Sequence, residues 1–184
     1  MSAHTPAERR QLSLALPAAS DNDLALIEVF LDALWAERGL AKASQSSYRR
    51  DLQGFARWCA VEPSARQLLQ ADRKTLFEHL AWRTQHAYSP RSNARLLSLL
   101  RAFYGYQSRR GARSDDPTAL LDPPRLPRSL PKALAESQID ALLAAPQVDT
   151  PLGLRDRAMF EVMYAAGLRV SGLVELPANS VNLR

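Results

Sequence analysis

Apolar positions in this chain recur every three or four residues over most of its length, the pattern of helices that each bury one face. Leu24, Ile27, Leu31, Leu34 and Trp35 form the first stripe, with Asp21 and Asp23 ahead of it as candidate N-caps and Gly39 stopping it. Ser44 is placed to cap a second helix. Its stripe runs through Tyr48, Leu52, Phe55, Trp58 and Cys59, Arg49, Arg50 and Arg57 lie on or beside the other face, and Pro63 ends it. A third helix over 72–86 is expected to bury Leu76, Phe77, Leu80 and Trp82. Ser89 followed by Pro90 reads as a cap and a first-turn proline, and Leu96, Leu97, Leu100, Phe103 and Tyr104 carry the fourth pattern on to Gly111. Four such helices within 21–113 imply a compact bundle.

Either side of that bundle the texture differs. Residues 1–20 read as a disordered tail: Arg9 and Arg10 precede Leu12, Leu14 and Leu16, but Ser13 interrupts the run and Pro17 ends it, short of a secretory signal. Residues 114–131 hold Pro117, Pro123, Pro124, Pro127 and Pro131 without periodicity, which suits an extended linker. A second domain is expected from 132 to 184. It contains a short helix over 137–145, a longer one over 151–166 with Gly167 as its C-cap, and Ser171 as the cap of the next.

Composition narrows the class. An apolar fraction of 46% can fill a core, and a single cysteine, Cys59, leaves no disulfide framework, so a reducing, cytoplasmic setting is expected. No stretch approaches the roughly 18 apolar residues of a membrane helix. The net charge of +5 is unevenly placed: residues 40–113 hold 14 Lys and Arg against four acids, residues 114–184 seven against nine. A basic block confined to one helical domain fits a polyanionic partner. Arg91 and Arg95 lie one turn apart and share a face, with Ser89, Ser92 and Asn93 as uncharged donors beside them. The second helix adds Lys42, Ser44, Gln45, Arg49 and Arg50 as candidates to contact such a partner.

Other features point to packing. His79, His86 and Cys59 are too scattered for a metal centre, so no metal site is expected. Trp35, Trp58 and Trp82 fall at or near stripe positions and read as core. Tyr164 shares the stripe of Phe160 and Met163 and reads as packing rather than as a nucleophile.

Five blocks then carry a resemblance: FLDALW at 30–35, YRRDL at 48–52, ARLLSLLRAFY at 94–104, LPRSLPKAL at 126–134 and LRDRAMFEVMYAAGLRVS at 154–171. In this order they resemble the tyrosine recombinases of the phage integrase family, within it the Xer class, over nearly everything from residue 23 on. The resemblance implies a mainly α fold: a four-helix SAM-like core-binding domain, a linker, and the truncated start of an α+β catalytic domain. It implies attack of a tyrosine on a phosphodiester to form a 3′-phosphotyrosine, reversed by a free 5′-hydroxyl, with no cofactor. The partners implied are a double-stranded recombination site, an XerC-like recombinase in a heterotetramer and a DNA translocase, in the resolution of chromosome dimers at cell division.

The catalytic pattern uses two Arg, a Lys, one or two His and the Tyr, and Arg169 matches its first arginine. That pattern usually continues Arg-x-x-Glu, and here Gly172 stands in place of the acid. No Lys, His or Tyr follows Arg169 within these residues, so the chain is expected to be an amino-terminal piece that binds DNA without cutting it. The competing readings are a non-catalytic helical DNA-binding module, another integrase such as an XerC-like or phage enzyme, and a structural interaction domain whose arginine face is merely solvated.

Overall fold

The structure is a computed structural model that describes residues 5–61, 63, 65–124, 133–177 and 180. Two compact units divide the chain, Met1–Pro127 and Arg128–Arg184. The described residues contain helices and no strand.

The first unit is built from α1 (Pro6–Ala15), α2 (Asp21–Arg38), α3 (Lys42–Cys59), α4 (Arg73–Gln85) and α5 (Pro90–Arg109), with a 3-10 turn at Leu68–Gln70. Its core is the meeting of four apolar faces: Ile27, Phe30 and Leu31; Leu52 and Phe55; Leu76; and Leu96, Leu97, Leu100, Phe103 and Tyr104. Each such side chain contributes about 1.5–3 kcal/mol on burial. Phe30 meets Phe103 edge to face at 5.4 Å. The Tyr104 hydroxyl, inside this core, donates to the Leu68 carbonyl at 2.9 Å, so that hydroxyl is not stranded.

Several local expectations are corrected by what the bundle needs. Ser20, not an aspartate, caps α2 by accepting from the Asp23 N–H at 3.1 Å. Asp23 is buried because its carboxylate accepts the Leu68 N–H at 2.9 Å, tying α2 to the 3-10 turn. Ser44 lies inside the first turn of α3, whose N-cap is Ala41 with no side-chain cap bond. Phe77 and Trp35 are 65% and 58% exposed. The buried face of α4 follows Thr75, Leu76, His79 and Arg83, and Phe77 falls about 100° round the helix from Leu76.

The tail expected over 1–20 instead holds a capped helix. Thr5 Oγ1 accepts the Glu8 N–H at 3.2 Å while the Glu8 carboxylate accepts the Thr5 N–H, a reciprocal capping box. Ten residues are too few to hold a helix alone in water, and tertiary contacts supply the difference. The Arg57 guanidinium donates to the Leu14 and Leu16 carbonyls at 2.7 and 2.6 Å, at the negative end of the α1 dipole.

The stretch expected to be a linker from 114 also begins as part of the bundle. Arg113 grips Asp115 and reaches the Leu69 and Ala71 carbonyls, Asp116 accepts from both the N–H and O–H of Thr118, and Arg101 donates to the Leu121 carbonyl. Pro117, Thr118 and Leu121 are buried. Residues 125–131, the rest of the expected linker, lie outside the described residues.

The second unit comprises α6 (Glu136–Ala144), α7 (Pro151–Ala166) and α8 (Val170–Val174). Thr150 caps α7 by accepting the Gly153 N–H at 3.1 Å, and a Cβ at Gly153 would stand 1.9 Å from the Gln147 oxygen. Gly167 ends α7 at φ 61°, a conformation that disfavours side chains with a Cβ. None of the described residues of this unit is buried.

Candidate nucleic-acid interface

The amino-terminal halves of α3 and α5 carry every DNA-binding candidate, and two ion pairs fix how they present them. Arg95 on α5 clasps Asp51 on α3 with both nitrogens, at 2.9 and 3.2 Å. Arg49 holds Glu28 of α2 likewise, at 2.7 and 2.6 Å. The hydrogen bond from Arg49 keeps the Glu28 carboxyl below its ordinary range, and the same bond raises the arginine. Arg49 and Arg95 are therefore staples between helices, each with Nε and Nη2 already engaged by a carboxylate, and not the unpaired cations that their spacing suggests.

Free charge lies next to them. Lys42 and Arg91 are exposed and make no hydrogen bond or ion pair with another described residue. Arg50 is exposed and bonds only along its own helix, to the Ser46 carbonyl at 3.2 Å and Ser47 Oγ at 3.4 Å. Ser44 and Gln45 are half-buried, and Gln45 donates to the Leu40 carbonyl at 3.5 Å. Asn93 is buried and occupied: its side-chain oxygen accepts from Arg83 Nε at 2.8 Å, while Arg83 Nη2 donates to Ser92 Oγ at 2.8 Å.

Arg83 itself was not legible as a site residue. It sits on the buried face of α4, where an apolar residue is expected, and its guanidinium lies 4.0 Å from the centre of the Tyr88 ring. Desolvation lowers its pKa, against the field of Asp51. With Arg9, Arg50 and Arg57 it lines a cleft of ≈ 480 Å³ between α1, α3 and the α4–α5 turn.

In the second unit Arg169, not Ser171, is the N-cap residue of α8, and its carbonyl accepts the Leu173 N–H at 3.0 Å. Its side chain is exposed. A Cβ at Gly172 would meet no described atom within 4 Å, so the backbone there has room for the start of a side chain. Tyr164 is 60% exposed, which corrects the expectation that it packs. Among the described residues no group of three or more His, Cys, Asp or Glu could hold a metal ion, and no helix is long and apolar enough to cross a membrane.

Comparison with known proteins places this architecture. The family model described as "Phage integrase, N-terminal SAM-like domain" matches residues 27–111, and "Phage integrase family" matches 132–184. The bundle and the unit carrying Arg169 are thus two successive parts of an integrase, and the chain belongs to the phage integrase family of tyrosine recombinases.

Within that family it is similar to tyrosine recombinase XerD. It is 65% identical to the protein of that name from Xanthomonas campestris pv. campestris, over all of this chain and 56% of that one. The XerD of Xanthomonas axonopodis pv. citri is 67% identical over 88% of this chain and 52% of its own, and that of Pseudomonas aeruginosa 52% identical over 86% and 53%. The chain spans about half the length of these relatives. Among solved structures, the integrase of mycobacterium phage Brujita shares the fold at a TM-score of 0.52 and 21% identity, over 82% of this chain and 48% of that one.

Proposed function

We propose that this chain forms the DNA-gripping part of a XerD-like site-specific recombinase, and that its α3–α5 face reads out the backbone of duplex DNA. The observation that carries the reading is the Asp51–Arg95 clasp. It holds the basic halves of two helices side by side while leaving Lys42, Arg50 and Arg91 exposed. Cations on rigid helices position a protein on phosphates with little loss of side-chain freedom.

The complete enzyme would attack a phosphodiester with a tyrosine, pass through a phosphorane with added negative charge, and leave a 3′-phosphotyrosine. The free 5′-hydroxyl of the partner strand then reverses the bond. Bond energy is conserved, so no nucleotide cofactor is required. Arg169 would donate to the non-bridging oxygens, where a planar guanidinium offers two fixed donors. Its place at the start of a helix adds the positive end of a dipole. The substrate is a double-stranded recombination site. The partners are an XerC-like recombinase in a heterotetramer and a DNA translocase, in the resolution of chromosome dimers in the cytoplasm at cell division. The FLDALW block and the Leu-Pro-rich stretch that follows the bundle place the chain on the XerD side of this pair.

Titration of a labelled duplex against this polypeptide tests the reading. About six to ten phosphate contacts would lower affinity on the order of a thousandfold or more between 50 and 200 mM salt. Lys42→Ala and Arg91→Ala should each weaken binding and flatten that slope, by about one phosphate apiece. An affinity that does not change with salt would rule out the interface.

A further inference from the structure

The cleft between α1, α3 and the α4–α5 turn belongs to none of the roles above. Four arginines line it, Arg9, Arg50, Arg57 and Arg83, together with Ser13, Ser92 and Tyr88. One acid, Asp51, faces it, and that carboxylate is already held by both donors of Arg95.

Arg83 is the most enclosed of the four, 6% exposed, and no carboxylate lies within ion-pair distance of it among the described residues. A buried cation without a counter-ion is expensive, and folds keep one only where other groups offset the cost. Here the offsets are the Tyr88 ring, the Asn93 and Ser92 oxygens, and the more distant Asp51. None of them places a negative charge within ion-pair distance of the guanidinium.

The wall opposite α3 is α1, which the structure takes trouble to seat. Arg57 clasps its carboxy-terminal carbonyls, Arg9 Nη1 donates to the Ala87 carbonyl at 3.4 Å, and the Tyr88 hydroxyl donates to the Arg9 carbonyl at 3.4 Å. Ala87 holds φ 57°, a left-handed conformation costly for a residue with a Cβ. The first turn of α1 is thereby brought against the turn that leads into α5, and the cleft continues the exposed basic face onto α1.

We propose that this cleft seats a backbone phosphate of bound DNA, with Arg83 beneath it and Arg50 and Arg9 beside it, so that α1 is a third element of the DNA interface. The proposal rests on the DNA-binding reading of α3 and α5 and extends it to a segment ahead of the family model's first matched residue, 27. Arg57 acts here as a positioning residue, holding α1 rather than the phosphate.

Duplex binding of Arg9→Ala, Arg50→Ala and Arg83→Gln, each measured across a salt series with a thermal melt as the folding control, tests it. Arg83→Gln should cost roughly tenfold or more in affinity, Arg9→Ala and Arg50→Ala severalfold each, and all three should lower the salt slope by about 0.9, the share of one phosphate. A parent chain that fails to bind duplex overturns the proposed function and this inference together. Should the parent bind while folded Arg9→Ala matches it in affinity and slope, the inference alone falls. Arg9→Ala also decides if Arg83→Gln does not fold, and a loss confined to Arg50 counts against the cleft, because Arg50 belongs to the wider face in any case.

Discussion

His79 shows how a single residue can lie in the fold against its own chemistry. It is 2% exposed, among Phe55, Trp58 and Trp82, and neither ring nitrogen has a hydrogen-bond partner among the described residues. Burial, with Arg83 nearby, pushes its pKa well below the ordinary 6.5. The unfolded chain therefore takes up a proton below about pH 6.5 that the folded chain refuses, and stability is lost as pH falls through that value and keeps falling until the folded group also protonates. His79→Phe removes both the proton uptake and two stranded polar atoms. It should raise the melting temperature and flatten its decline between about pH 7 and 5. An unchanged pH profile in thermal melts would show that another group sets acid stability. Cys59 is unlike His79 in having no such consequence: its thiol is driven up to about 12 by burial and stays protonated and inert.

At the scale of elements, the chain's punctuation decides more than its propensities. Ser89 and Pro90 start α5, Gly39 and Gly167 end α2 and α7 with φ near 60°, and all were legible because those residue types have few other uses. The expected helix over 72–86 also ends where α4 ends, but the way it ends was not legible. There the Tyr88 N–H bonds the Arg83 carbonyl and the Ala87 N–H bonds Thr84, the hydrogen bonds of a Schellman turn, with alanine where glycine is usual. Ala87→Gly should stabilise the first unit by about 1 kcal/mol, since the left-handed penalty exceeds the entropy that glycine adds to the unfolded chain. Urea denaturation measures it, and a loss of stability would mean that the Ala87 methyl makes a contact worth more than the strain. The same logic explains the overlooked helix α1. Its apolar content is too thin and broken to announce a buried face, and its order comes from Arg57 and Arg9, whose targets lie about 40 to 80 positions away in sequence.

For the molecule as a whole, the two units differ in what they can bury. The first encloses a contiguous core drawn from four helices. In the second, Leu142, Leu152, Leu154, Tyr164, Val170 and Val174 are exposed and none of its described residues is buried. A unit of this size whose described residues enclose no core has little to hold it together. Limited proteolysis of this polypeptide should trim it to a resistant core that retains Leu121 and ends by about 131, and amide exchange over 151–166 should be fast. Strong protection of α7 in the monomer would contradict this.

The sequence by itself determined the mainly helical class, the four amphipathic helices from α2 to α5, the basic block and the family blocks, the last of which contains Arg169. Each of these is written in local period, in cap residues or in contiguous motif. Only the tertiary structure decided which cations are free. Arg49 and Arg95 carry the same charge as Arg50 and Arg91 on the same two helices, but Glu28 and Asp51 engage the first pair across 21 and 44 positions of sequence, and no described carboxylate pairs with the second. It also decided that Arg83, at an apolar stripe position, and Arg9, in an apparent tail, border one cleft. Helical period reports which face of a helix is buried. It carries no information about which carboxylate or carbonyl another helix brings within 3 Å, and on that the chemistry of a charged side chain depends.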